Sequence, residues 1–155
     1  MLDTTSPTNH DVNVTVTSTE ADTLTTSSTG WTVLGASGNW SFVKTYSANI
    51  TGDPLVVQDR AGNTTTKLVT VANIDKQSPT VEDATYSTTA ATNQDVTVTF
   101  KSAENLTAPT GYTKTFDVAT GKYVYTKAYA ANTTETISFV DAAGNRNDKV
   151  VTIAN

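Results

Sequence analysis

The chain has 155 residues, no cysteine and a formal net charge of −5 at pH 7. These features exclude disulfides, zinc–thiolate sites and a thiol nucleophile, and they withhold the basic footprint that nucleic-acid binding requires. Only 37% of the residues are hydrophobic and threonine supplies roughly a fifth, which suits the solvated faces of β-strands around thin cores rather than helices.

The first element is an alternating strand. In the run Thr8-Asn9-His10-Asp11-Val12-Asn13-Val14-Thr15-Val16, the three valines share one face. An aromatic strand follows, Trp40-x-Phe42-x-Lys44-x-Tyr46, and then Leu55-Val56-Val57. The turn Asp59-Arg60-Ala61-Gly62-Asn63 comes next, and Lys67-Leu68-Val69-Thr70-Val71 closes the series. The turn has a mechanism. An aspartate in first place accepts hydrogen bonds from the backbone just ahead, and a glycine in fourth place takes the left-handed conformation, giving a type I turn with a bulge between antiparallel strands.

The same order then returns. Thr92-Asn93-Gln94-Asp95-Val96-Thr97-Val98-Thr99-Phe100 repeats the first strand, and Tyr123-x-Tyr125-x-Lys127-x-Tyr129 repeats the aromatic one. Ile137-Ser138-Phe139, Asp141-Ala142-Ala143-Gly144-Asn145 and Lys149-Val150-Val151-Thr152-Ile153 repeat the rest. A period of about eighty residues is too long for a solenoid and right for a small domain. The expectation is all-β: two β-sandwich domains in tandem, at residues 1–74 and 75–155. In this alignment Leu2 falls on Tyr86, so the second copy owns an extra leading segment, Asp75 to Thr85. The first copy is therefore expected to lack its first edge strand, as a slice of a longer array would. No signal peptide or membrane-spanning run is read in the sequence.

Three motifs resemble bacterial Ig-like domains: Thr-Asn-x-Asp-Val-x-Val-Thr, the Asp-x-Ala-Gly-Asn turn, and the junction Ala72-Asn73-Ile74-Asp75-Lys76-Gln77-Ser78-Pro79-Thr80. The resemblance covers nearly the whole chain. It implies two tandem Ig-like sandwiches and an extracellular place at the bacterial cell surface, in a surface-layer or cell-wall protein. It also implies a structural, spacer or assembly role, with neighbouring Ig-like domains of the same chain and adjacent copies in a surface array as partners. The alternative is an adhesin or carbohydrate-binding accessory module that recognises cell-wall or host glycans.

Catalysis finds few materials. His10 is the only histidine and its matched position holds Gln94, so no enzymatic role is expected. Calcium is the sharper candidate, because hard cations want several carboxylate and carbonyl oxygens. Asp75, Glu82 and Asp83 lie close in sequence around the junction, and Glu104 matches Glu20 after the valine-rich strand. No EF-hand-like spacing accompanies them. For glycan binding the candidates are Trp31, Trp40 and Tyr46, although aromatics recurring at matched positions more often pack a core.

The aromatic–lysine stripe has two readings. On a core-facing side, Lys44 and Lys127 need partners, and some Gram-positive surface Ig-like domains join such a lysine to Asn or Asp as an isopeptide. On a solvent-facing side, the lysine stems lie over flanking rings, and Val43 and Thr45, or Val124 and Thr126, turn inward. The solvent-facing arrangement is the one expected.

Overall fold

The computed structural model describes residues 1–20, 23–24, 28–36 and 39–154. The chain divides into two compact units, Met1–Lys76 and Gln77–Asn155. Every regular element among the described residues is a strand. Asn155, the end of the second closing motif, lies outside the described residues.

Unit 1 contains β1 (Val12–Ser18), β2 (Thr23–Leu24), β3 (Thr32–Ala36), β4 (Asn39–Tyr46), β5 (Ile50–Gln58) and β6 (Thr64–Val71). One sheet has the order β1-β4-β3 and the other β2-β5-β6, with all pairs antiparallel. Unit 2 contains β7 (Thr85–Tyr86), β8 (Val96–Ser102), β9 (Thr113–Asp117), β10 (Lys122–Tyr129), β11 (Thr133–Val140) and β12 (Arg146–Ile153). Its sheets are β7-β8-β10-β9 and β11-β12.

Each unit is a sandwich because its core draws from both of its sheets. In unit 1, Val12, Val14 and Phe42 from one sheet meet Leu55, Val69 and Val71 from the other. In unit 2, Val96, Val98, Phe100 and Tyr125 meet Ile137, Phe139, Val151 and Ile153. Strand alternation places these residues, since a period of two sends every second side chain inward. In unit 2 the rings of Phe100 and Tyr125 stand edge-on to Phe139, at 5.1 and 5.4 Å between centroids.

Both hairpin turns form as the sequence implies. Gly62 N–H bonds to Asp59 O at 3.1 Å, and Gly144 N–H to Asp141 O at 3.3 Å. Each aspartate also gathers the backbone N–H groups two and four residues on, and the following Asn side chain, all at 2.8 Å. The glycines have φ of +96° and +93°, where a Cβ is costly. The repeated Thr-Asn-x-Asp run is a second local device: Thr8 and Thr92 each cap the N–H of residue 10 or 94 through their hydroxyls.

The leading segment of unit 2 straddles both sheets. Glu82 N–H bonds to Lys101 O on β8, while Asn147 Nδ2 on β12 donates to Pro79 O. Pro79 and Val81 are buried. In unit 1, Met1–Asp3 take the place of β7. Leu2 pairs with Val14 as Tyr86 pairs with Val98, which fixes the alignment of the two copies.

Candidate functional site

The stripe on β4 and β10 faces the core, correcting the expectation that it faces solvent. Phe42, Tyr46, Tyr125 and Tyr129 are buried; on the opposite face Thr45 is exposed and Val43, Val124 and Thr126 are only half-buried. The physical reason is that each lysine finds its counter-charge inside the fold, so its position on the inner face no longer leaves a charge unpaired.

In unit 1, Lys44 Nζ lies 2.8 Å from Asp53 Oδ2 and donates to Thr29 O at 2.7 Å. The Tyr46 hydroxyl donates to the same carboxylate oxygen at 2.6 Å. The ammonium also stands 5.2 Å from the Tyr46 ring centroid and 6.0 Å from that of Trp31. Unit 2 rebuilds the arrangement with a glutamate for the aspartate and Tyr112 for Trp31. Lys127 Nζ lies 2.6 Å from Glu135 Oε1, which also accepts from the Tyr129 hydroxyl. Lys127 sits 4.4 Å from the Tyr129 ring centroid and 5.6 Å from that of Tyr112. The hydroxyls of Tyr112 and Tyr129 are 3.0 Å apart.

A glycine completes each clamp. Gly30 and Gly111 have positive φ, and a Cβ on them would meet the lysine stem at 3.2 Å (Lys44 Cε) and 3.4 Å (Lys127 Cε). The residue after each glycine is the ring that the lysine faces, Trp31 or Tyr112. Glycine thus lets the loop lie against the lysine stem.

The electrostatics follow from the geometry. Burial works to raise the Asp53 carboxyl, but the hydrogen bonds from Lys44 and Tyr46 and the Lys44 charge outweigh it, and its pKa falls. Lys127 and Tyr129 hold the Glu135 carboxyl below the usual range, chiefly through their hydrogen bonds. Burial, followed by the hydrogen bond to the carboxylate, pushes the Tyr46 and Tyr129 phenols well above their usual range. An ionised carboxylate held by an ammonium and a phenol is a brace. Neither partner is left as a free base or nucleophile.

Asp53 and Glu135 escaped the sequence reading, although a signal was present. Both stand two residues before a core aliphatic, Leu55 and Ile137, at matched positions of the repeat. An acid on the inner register of one strand is the natural counterpart of a lysine on the inner register of the next.

The calcium candidates do not gather around a common point within either unit. Asp75 lies in unit 1, where its backbone N–H bonds to Thr8 O at 2.9 Å. In unit 2, Glu82 pairs with Lys122, Asp83 with Lys149 at 2.9 Å, and Glu104 accepts from Thr80 N–H at 2.7 Å. Among the described residues no group of three or more acidic or histidine side chains is placed to hold a metal ion. Of the glycan candidates, Trp31 and Tyr46 are buried together at 6.4 Å between ring centroids, and Trp40 is half-buried against the same core. Trp31 and Tyr46 spend their faces on packing, whereas Trp40 keeps part of its surface beside Thr17, Ser18 and Asn39. His10 is exposed.

Compared with known proteins, the chain matches no family model, no curated protein and no solved structure.

Proposed function

We propose that the chain is a structural spacer or assembly segment of a bacterial surface-layer or cell-surface protein. The observation that carries this reading is the duplicated internal brace. Both units commit a lysine, a carboxylate and a tyrosine to holding the two sheets together, with aspartate in one and glutamate in the other at the matched place. Selection for a shared active site would keep the chemistry identical and accessible; selection for stiffness needs only the clamp. Asp for Glu and Trp for Tyr are substitutions a clamp tolerates.

The brace also suits a chain without cysteine. It ties β4 to β5, and β10 to β11, across the two sheets of each sandwich, where small exported domains often place a disulfide. The adhesin alternative draws no support from Trp31 and Tyr46, whose rings are buried in the core.

The test is made on the cells that produce the protein. Protease added to intact cells should remove the epitopes of this chain while cytoplasmic markers survive. Full protection on intact cells, with digestion only after lysis, would overturn the surface assignment.

A further inference from the structure

A short strap, residues 73–76, follows β6 in unit 1 and lies alongside residues 4–11, the stretch that precedes β1. Thr8 N–H bonds to Asn73 O, and Asp75 N–H bonds to Thr8 O, both at 2.9 Å. Thr8 and Ile74 thereby form a parallel bridge. Among the described residues every other bridge and strand pair is antiparallel.

The strap is gripped on both edges. Thr8 holds one of them. On the other, the Asn49 side chain acts as a neighbouring strand would: its Oδ1 accepts from Ile74 N–H at 2.8 Å, and its Nδ2 donates to Ile74 O at 2.9 Å. Asn73 Nδ2 adds bonds to Ser6 O at 2.8 Å and Thr4 O at 3.2 Å. The Ile74 side chain is buried in the core of unit 1, and Lys76 pairs with Asp11 at 2.6 Å. A few residues leaving a last strand ordinarily fray. Here every backbone polar group from Asn73 O to Asp75 N–H has a partner. Thr8 and Asn49 recur as Thr92 and Asn132 at matched positions of the second copy.

Direction decides what this contact can do. The chain enters unit 1 through residues 4–8 and leaves it through the strap, and the two stretches run the same way. Tension draws the entering stretch backward and the leaving stretch forward, so they slide along each other. The bonds across the contact then stretch together, whereas a pairing pulled from one end opens one bond at a time. Ile74 adds resistance, because sliding must take its side chain out of the core.

We propose that the contact of residues 73–76 with residues 4–11 and Asn49 is a force-bearing lock that keeps unit 1 closed under end-to-end tension. The lock gives the spacer reading its mechanical content and rests on that reading for its purpose. The two are tested apart: a force measurement judges the contact alone, and the protease test on cells judges surface location.

The experiment holds the full 155-residue chain at constant force and times its unfolding steps. Asn49→Ala deletes two of the strap's bonds and should speed one step on the order of tenfold, as the loss of two hydrogen bonds that break before the transition state does. Asn73→Ala deletes two others and should speed the same step comparably. Asp59→Ala is the control. It deletes three bonds of the turn at the far end of β5 from Asn49, and that turn is still intact when the lock slides. It should change the rate of that step by less than about twofold. Unchanged rates in both asparagine variants, acceleration of different steps by the two, or an equal acceleration by Asp59→Ala would each overturn the proposal.

Discussion

Removing the ammonium from the unit 2 clamp tests the brace at its centre. Lys127→Met keeps the stem length and the packing against Gly111 while deleting the charge that faces Glu135 at 2.6 Å. At an effective dielectric constant of about 20, that separation corresponds to a gross attraction of roughly 6 kcal/mol. Desolvation offsets most of it. Exposed pairs net at most about 1 kcal/mol, and unpairing a fully buried charge costs about 3–5 kcal/mol. The two side chains are 24% and 35% exposed, which places the cost between these limits, at about 2 kcal/mol. For a unit of this size such a loss lowers the melting temperature by roughly 8–16 °C.

Calorimetry of the full chain should show this fall in one transition and leave the other in place. A double-mutant cycle with Glu135→Gln should return a coupling of about 1–2 kcal/mol. A melting shift below about 2 °C, or additive single effects, would refute the reasoning: the stripe would then be held by its aromatic rings alone.

Three further outcomes follow from the same contacts. Because the Asp53 and Glu135 carboxyls are lowered in the folded state, their stabilisation is present above the ordinary carboxylate range and is lost as pH falls through the folded values. Because the Tyr46 and Tyr129 phenols are raised, theirs is present below the ordinary phenol value of about 10 and is lost only as pH rises through the higher folded values. Lys127→Met removes the main cause of the lowered Glu135 value, so in denaturation across pH this variant, though less stable at neutral pH, should lose less stability on acidification than the parent chain; an unchanged acid limb would contradict this. Asp141→Ala removes the acceptor for three hydrogen bonds, and a loss of about 1–2 kcal/mol is expected in urea titration, whereas Ala142→Ser in the same turn should be neutral. Intact mass should equal the sequence mass, because a carboxylate kept ionised is a poor electrophile for amide formation; the loss of one water per clamp would show that the lysines are joined covalently.

Much of the fold was legible because its signals are local and repeated. The valines at positions 12, 14 and 16 and the Asp-x-Ala-Gly turns report strand faces and hairpins through backbone geometry alone. The alignment of Leu2 with Tyr86 also emerges in the pairing with Val14 and Val98. The face of the aromatic–lysine stripe was not legible from the strand itself. Lysine within an aromatic run looks solvent-seeking until its partner is seen, and that partner lies nine or eight residues further on, on the facing sheet. The leading segment of unit 2 was legible as an addition. Its role as a seam filler was not, because its bonds reach from β8 to Asn147 and Lys149 on β12.

The central claim, that each unit is an independently braced spacer, is tested most directly by pulling the full chain end to end in a force spectrometer. Two unfolding steps are expected. Each releases on the order of 25 nm of contour, as fewer than eighty residues allow, and Lys127→Met should lower the force of one step only. A single step spanning the whole chain, or two steps weakened equally by that substitution, would contradict the account.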